Sequence, residues 1–256
     1  MLLTTAYFPP IEYLALLARY SVVYMEACEN YQKQSWRNRC RILTANGPEA
    51  LNVPVVHENG TFALPVKEIR VEYTTPWVLR TERAIESAYS SSPFFIYYKD
   101  ELFAILDSHP ATLWELNRRI IDFFCAKIGI APQFVETAVY NPPCAASSSP
   151  TSPVIPFSSV IPTSPVINGL RPFSSSSLDS VSDTSTVLAP SSVPSEAKES
   201  DYRALIHPKK ANTILRDLGL ERPYWQVFRD RFGFIPGLSI MDLLFNEGPE
   251  SICWLR

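Results

Sequence analysis

A serine- and proline-rich segment that begins near Asn141 sets the strongest limit on what this chain can fold into. Residues 141–195 contain 17 Ser and 10 Pro and three charged side chains. Such a composition buries too little apolar surface to offset the entropy lost on ordering. The segment also repeats itself, since Pro-Thr-Ser-Pro-Val-Ile occurs at 150–155 and again at 162–167. We therefore predict a long disordered Ser/Pro-rich insertion at 141–199.

Two ordered pieces remain on either side of this insertion. The chain has 256 residues, of which 46% are hydrophobic and 12% aromatic, and this is ample for a packed core. We expect residues 1–140 to form the main α/β domain with a helical region. The C-terminal segment, 200–256, is expected to pack on that domain.

The first ordered piece begins with alternating β and α signals. An apolar stretch at 2–7, a helical spacing after Pro9-Pro10 and a β-branched run at 21–25 predict an N-terminal strand–helix–strand unit. Period-two alternation then runs from 36 to 73. The dipeptides Asn-Gly at 46–47 and 59–60 mark tight turns there, so this region is predicted to be an antiparallel meander.

Helices are predicted after the meander. Their expected ranges are 81–89, a helix that starts at Ser92-Pro93, a helix that runs from the capping box at Thr112 to Gly129, and a short one that begins at Ser239. Helices gathered after a sheet make the fold class mixed α/β (α+β).

Several classes of function are excluded by what the sequence lacks. The net charge is −3, which argues against a protein that coats nucleic acid, and we expect no nucleic-acid partner. With only 8 Gly, the chain has no G-x-G-x-x-G and no G-x-x-x-x-G-K-[ST] motif. Its three His form no metal-binding spacing, so we expect neither a metal nor a cofactor.

The cysteines and the N-terminus indicate the compartment. The five Cys form no C-x-x-C pair and are odd in number, which is typical of a reducing cytoplasm rather than of a disulfide framework. No apolar run approaches the roughly 18 residues of a membrane span, and no signal peptide is evident. We expect a cytoplasmic protein without a transmembrane segment.

A basic and aromatic stretch, ENYQKQSWRNRC at 29–40, is the best candidate for a binding site. If 36–43 is a strand, Arg37, Arg39 and Arg41 share one face. Guanidinium groups form bidentate pairs with phosphate or carboxylate, so this face suits the anionic part of a sugar nucleotide. The alternative is an exposed strand face whose arginines pair with nearby Glu side chains. Both interpretations stay open.

Carboxylates near this stretch are candidates for a general base. Glu12 lies at the strand-to-helix junction that begins at Tyr7, a place where open sheets collect ligands, and Glu29 precedes the basic stretch. After the insertion, His207 and Lys209 in Ile-His-Pro-Lys-Lys could close over an anion. The alternatives are salt bridges for the carboxylates and a solvated loop for the His-Pro-Lys-Lys segment.

Six motifs in this order resemble the WbqC-like protein family, in particular its Bacteroidetes-type members. They are TAYFPPIEY, ENYQKQSWRNRCRILTANG, LNVPV, RAIESAYSSSPFFIYY, IHPKK and FGFIPGLSIMDLLFNEGPES. The family's most recognisable polar motif falls on Tyr31, Lys33, Trp36, Asn38 and Arg39. The chain departs from the family in its long insertion and in the residues that precede the motif tyrosine, where many members have an acidic pair.

The resemblance implies a role in the biosynthesis of surface polysaccharides of the O-antigen type. A glycyl or other small acyl transfer to an amino sugar is the activity suggested for the family. The partner would then be a nucleotide- or lipid-linked sugar. The family provides no catalytic residues to carry over, and Glu12 and Glu29 are the candidate bases that the sequence itself offers. The predicted ligand contacts are Tyr7, Tyr31, Lys33, Trp36, Arg37, Asn38, Arg39, His207 and Lys209. The alternative is a non-catalytic protein that binds a sugar nucleotide or another phosphate ligand within a biosynthetic complex.

Overall fold

A computed structural model describes residues 1–56, 63–143 and 200–256. The predicted insertion, from residue 144 onwards, and the second Asn-Gly turn lie outside these ranges. The described chain contains both helices and strands, as the α+β fold class requires. None of its helices combines the length and the apolar character needed to cross a membrane.

A three-stranded parallel sheet carries the N-terminal unit. β1 (Leu2–Leu3) pairs with β2 (Val22–Met25), and the helix α1 (Ile11–Leu17) connects them. β2 pairs on its other side with β5 (Gln133–Glu136), which gives the order β1-β2-β5. The predicted strand–helix–strand unit is therefore confirmed, whereas the strand at 133–136 had not been predicted. All seven residues of α1 are buried, so this helix forms part of the core.

A two-stranded antiparallel hairpin follows. β3 (Arg39–Thr44) pairs with β4 (Gly47–Asn52), and the turn at the predicted Asn46-Gly47 joins them. Gly47 has φ of 109°, a conformation that glycine adopts without steric penalty. The predicted meander is a hairpin in the described residues, extended by one isolated bridge between Val55 and Val71.

Three long helices pack on this framework: α2 (Trp77–Tyr89), α3 (Phe95–Asp107) and α4 (Leu113–Ile128). The capping prediction for α4 is confirmed, since the Thr112 hydroxyl accepts a hydrogen bond from the Glu115 amide and Gly129 is left-handed. Ser92 was predicted to cap α3, but the structure shows no side-chain cap there and the helix begins three residues later.

The C-terminal segment closes the structure around the start of α1. It contains α5 (Ile214–Asp217), α6 (Arg229–Phe232) and α7 (Ile240–Glu247). Backbone hydrogen bonds run from the Ile240 amide to the Pro9 carbonyl, 2.8 Å, and from the Ser239 amide to the Arg41 carbonyl, 2.8 Å. These bonds fix the first turn of α1 against β3, and both elements contribute to the cavity described next.

Candidate functional site

One cavity of about 380 Å³ lies where α1, β3 and the C-terminal segment meet. We call it the Glu12 cavity. Its polar and aromatic lining includes Glu12, Trp36, Arg41, His207, Lys210 and Tyr224. Three of the predicted site residues, Glu12, Trp36 and His207, are thus brought together although they lie far apart in sequence.

Glu12 is the buried carboxyl of this cavity. It occupies the first turn of α1, and only 6% of the residue is exposed. Burial raises the pKa of Glu12, and hydrogen bonds from its own backbone and from the Asn212 side chain oppose that rise. Its Oε2 atom is buried and has no hydrogen-bond partner in the described chain. A carboxylate oxygen without a partner makes Glu12 a candidate general base.

His207 faces the same cavity in a neutral state. Burial lowers the pKa of His207, and the positive charges of Lys210, Arg37 and Lys209 lower it further. Its Nδ1 accepts a hydrogen bond from the Lys209 amide at 3.1 Å. In a neutral imidazole the other nitrogen, Nε2, then carries the hydrogen and can donate it to a ligand oxygen.

A buried polar cluster supports the wall of the Glu12 cavity. The Tyr224 hydroxyl, which lines the cavity, donates to Asp242 Oδ2 at 2.5 Å. Gln226 Nε2 donates to the same carboxyl oxygen at 3.1 Å and to the Ile235 carbonyl at 2.9 Å. These side chains could not be recognised from the sequence, because neither their spacing nor their chemistry resembles a known motif.

A second cavity, of about 490 Å³, lies at the other end of the basic stretch. We call it the Arg39 cavity. Its lining includes the predicted contacts Tyr31, Lys33, Asn38 and Arg39, and adds Trp77 and Arg80 from α2. The Arg39 Nε atom donates to Asn52 Oδ1 at 2.8 Å, which orients the guanidinium at the edge of β3.

Strand β3 and one long-range hydrogen bond connect the two cavities. Arg39 and Arg41 are two residues apart on β3 and therefore project from the same face, one into each cavity. Lys209 Nζ donates to Gln34 Oε1 at 2.6 Å. Lys209 belongs to the segment that borders the Glu12 cavity, and Gln34 lines the Arg39 cavity.

Residues 5–152 match the WbqC-like protein family. The chain belongs to this family. A relative in Mycobacterium tuberculosis, the uncharacterized protein Rv1507c, is 27% identical over 227 residues, which cover 88% of this chain and 84% of that protein. No solved structure shows a significant match.

The basic stretch at 29–40, which carries the polar motif of the WbqC-like family, does not form a single surface. The predicted strand at 36–43 starts at Arg39, so Arg37 precedes it and turns inward instead of joining Arg39 and Arg41 on one face. Arg37 forms a buried ion pair with Glu29, with NH2 2.7 Å from Oε2 and Nε 2.9 Å from Oε1. The alternative of a pairing between an arginine and a nearby glutamate thus describes Arg37.

Four predicted site residues of this WbqC-like protein, Tyr7, Glu29, Arg37 and Lys209, lie outside both cavity linings. Glu29 and Arg37 are buried in their mutual ion pair, and Glu29 also accepts a hydrogen bond from the Thr4 hydroxyl. Tyr7 is fully buried and packs edge-on against Phe8, while its amide donates to the Trp36 carbonyl at 2.8 Å. Through that bond Tyr7 holds Trp36 in place at the Glu12 cavity.

The chemistry available to the site is that of carboxyl, imidazole, guanidinium and ammonium groups. No serine or cysteine is among the described residues that line either cavity. Nor does the described part of the chain group three or more His, Cys, Asp or Glu side chains in a way that would hold a metal ion.

Proposed function

We propose that this WbqC-like protein transfers a small acyl or aminoacyl group to the amino group of a nucleotide- or lipid-linked sugar. The observation that carries the proposal is the Glu12 carboxyl, buried in a cavity with an oxygen that no described group satisfies. A sugar amine placed beside this oxygen would supply the missing hydrogen bond and then its proton.

The reaction is an aminolysis of an activated acyl donor, which is a thioester or an aminoacyl ester. The amine nitrogen attacks the donor carbonyl carbon and a C–N bond forms. The Glu12 carboxylate takes the proton that the amine loses. The C–S or C–O bond to the donor's carrier breaks, and the protonated Glu12 returns its proton to the departing sulfur or oxygen, which regenerates the carboxylate.

The other residues of the Glu12 cavity have roles that fit this reaction. The neutral His207 can donate from Nε2 to the oxygen of the donor carbonyl, where negative charge develops. Trp36 offers an apolar ring surface for a sugar face. Arg41 and Lys210 supply positive charge beside the reacting groups. Glu29 keeps its proposed role as a base only if its ion pair with Arg37 opens, and Glu12 is therefore the base that we favour.

The biological setting is the assembly of surface polysaccharide of the O-antigen type, in the cytoplasm. Amino sugars that carry small acyl groups are built on nucleotide or lipid carriers before polymerisation, and resemblance to the WbqC-like family supports this setting. The ligand contacts Tyr31, Lys33, Asn38 and Arg39 would hold the carrier side of the acceptor, and Lys209 would bridge the two cavities.

The test is a gene deletion complemented by the wild type, by Glu12→Gln and by a matched control, Glu49→Gln. Glu49 is an exposed carboxylate on β4. Mass spectrometry of the surface polysaccharide should show that the deletion removes one acyl group. The wild type and Glu49→Gln should restore this group, whereas Glu12→Gln should not. An acyl pattern that is unchanged by the deletion would contradict the proposed transfer.

A second candidate function is that of a non-catalytic binding protein in the same biosynthetic complex. The lack of a serine or cysteine nucleophile among the described lining residues favours it. Under this alternative, Glu12→Gln restores the polysaccharide fully, whereas a variant that prevents ligand binding does not. The same complementation experiment therefore separates the two functions.

A further inference from the structure

Arg39 and Arg80 bring positive charge to the Arg39 cavity, and the described part of its lining contains no carboxylate. Lys33 lines it as well. The Arg80 guanidinium makes no ion pair or hydrogen bond with any described residue, and Arg39 uses its Nε atom for Asn52. Cations that converge on one cavity repel one another unless an anion joins them.

A buried N–H group points to the same kind of ligand. Trp77 is 5% exposed and lines the cavity, and its Nε1 atom is buried without a hydrogen-bond partner in the described chain. Indole N–H is a donor only, so the missing partner must be an acceptor. A buried donor without a partner destabilises a protein by about 1–3 kcal/mol. An acceptor on a ligand would remove this cost, and the two arginines of the same cavity favour an acceptor that is anionic.

The cavity also offers one acceptor of its own. Asn38 Nδ2 donates to the Val53 carbonyl at 3.1 Å, which fixes the orientation of the amide and leaves Oδ1 buried without a partner. A ligand that suits the cavity therefore combines anionic oxygens for Arg39, Arg80 and Trp77 with at least one hydroxyl for Asn38.

We propose that the Arg39 cavity is a diphosphate-binding site in which Arg39, Arg80 and the Trp77 N–H hold phosphate oxygens. The inference deepens the proposed function and rests on it for the identity of the molecule that bears the diphosphate, namely the carrier of the acceptor sugar. Arg41 lies two residues after Arg39 on β3, about 7 Å further along the strand, and lines the Glu12 cavity.

Diphosphate fits this arrangement better than a carboxylate does. A carboxylate presents two oxygens in one plane and is satisfied by one guanidinium fork. Diphosphate presents oxygens in several directions and carries two or more negative charges, which match two guanidinium groups on different elements, β3 and α2. The cavity volume of about 490 Å³ is also large enough for such a group and part of what it carries.

Isothermal titration calorimetry of the full chain with inorganic pyrophosphate tests the site without any assay of transfer. We expect saturable binding that weakens with added NaCl, and losses of about tenfold or more with Arg39→Ala and with Arg80→Ala. Arg83→Ala is the matched control, because Arg83 is exposed on the same helix and does not line the cavity in the described structure. Sodium acetate at equal ionic strength should not compete.

Two further variants keep the test informative if an arginine variant is poorly folded. Trp77→Phe keeps an aromatic ring at this position and removes the N–H, so a smaller loss of affinity, about two- to tenfold, is expected in a variant that still unfolds cooperatively. Arg80→Lys keeps the charge but not the fork, and should bind between wild type and Arg80→Ala. Pyrophosphate binding that is absent in the wild type, or equal in Arg39→Ala, Arg80→Ala and Arg83→Ala, would overturn the proposal.

Two larger probes distinguish the sources of the diphosphate. Uridine diphosphate that binds more tightly than pyrophosphate identifies a nucleotide carrier, whereas farnesyl diphosphate that does so identifies a lipid carrier. Either result supports the site, provided that Arg39→Ala removes the binding. Since neither probe needs a donor, this site can fail while acyl transfer stands, and it can stand while the complementation experiment fails.

Discussion

Arg203 donates a hydrogen bond from NH1 to the backbone carbonyl of Asn141 at 2.8 Å, across 62 residues of sequence. The same guanidinium group pairs with Asp201, at 2.7 Å, and with Glu26, at 3.4 Å. Glu26 in turn accepts hydrogen bonds from the Asn141 amide and side chain. The two points at which the Ser/Pro-rich segment leaves and re-enters the described structure are therefore held together by this cluster.

Replacement of residues 145–198 by a six-residue Gly-Ser linker should leave the fold intact. Because Arg203 already joins the two ends, a short linker can close the gap, and a shorter loop loses less entropy on closure. The difference is about 1–2 kcal/mol in favour of the shortened chain. Thermal unfolding should show a midpoint equal to or above that of the full chain, and a lower midpoint or loss of cooperativity would contradict the prediction.

Arg37→Ala should be strongly destabilising. The substitution leaves the Glu29 carboxylate buried without its partner, a change that lowers the free energy of unfolding by about 3–5 kcal/mol. Arg41→Ala, an exposed change four residues away, should stay within about 0.5 kcal/mol. Urea unfolding measures both. Similar stabilities for the two variants would mean that Arg37 does not depend on Glu29 and is free for a ligand role.

Local signals in the sequence were sufficient for the elements that have their own start and stop residues. The capping box at Thr112 and the glycine at 129 defined α4 at both ends, because caps act within one turn of the chain. The Asn46-Gly47 turn located the hairpin for the same reason. In contrast, Gln-Phe-Val-Glu at 133–136 has no strand signature of its own and becomes a strand because β2 offers it a free edge.

The candidate site was predictable by residue type but not by arrangement. The sequence indicated Glu12 by its position at a strand-to-helix junction, and it indicated His207 and the basic stretch because histidines and clustered arginines are chemically conspicuous. It could not show that the stretch divides between two cavities, since that depends on Arg37 turning toward Glu29 before β3 begins. Nor could it show that Arg80 of α2 lines the same cavity as Arg39, because that depends on how α2 packs beside the hairpin.

Glu12→Gln should not destabilise the protein at neutral pH. Burial raises the pKa of Glu12, so its contribution to stability is present below its unfolded pKa and is lost as the pH rises through its folded pKa. The neutral amide avoids that loss, and we expect the variant to be at least as stable as the wild type at pH 8. Urea unfolding at pH 8 and at pH 4 should show the relative gain at pH 8 alone.

Glu26→Gln is the control for this comparison. Glu26 is also buried, but its oxygens accept hydrogen bonds from Thr137 at 2.7 Å and from the Asn141 amide at 3.0 Å, and it pairs with Arg203. Its replacement should lower the free energy of unfolding by about 2–4 kcal/mol. If Glu12→Gln is as destabilising as Glu26→Gln, Glu12 is a structural residue, and its role as a base loses its main support.

Asp242 should make stability depend on pH in a defined window. Burial raises the pKa of Asp242 from 3.8 to about 6, against the opposing effect of hydrogen bonds from Tyr224 and Gln226. Because the folded value exceeds the unfolded one, this stabilising contribution is complete below pH 4 and is lost as the pH rises to 6. The loss is about 3 kcal/mol. Unfolding free energies should be measured for the wild type and Asp242→Asn from pH 4 to 8. Between these pH values the wild type should lose about 3 kcal/mol relative to the variant. A difference that does not change with pH would contradict the prediction.

Gly248→Ala should destabilise the end of α7 more than a substitution at another left-handed glycine. Gly248 has φ of 57°, and a Cβ atom there would lie 2.5 Å from Cδ1 of Phe94, well inside contact distance. Backbone strain and the clash together should lower the free energy of unfolding by about 3 kcal/mol. Gly219→Ala is the matched control, because φ is 69° and nothing lies within 4 Å of its Cβ position, so that a loss of about 1 kcal/mol is expected. Adding Phe94→Ala should recover part of the excess in urea unfolding, and a double variant with strictly additive losses would show that the clash is not its cause.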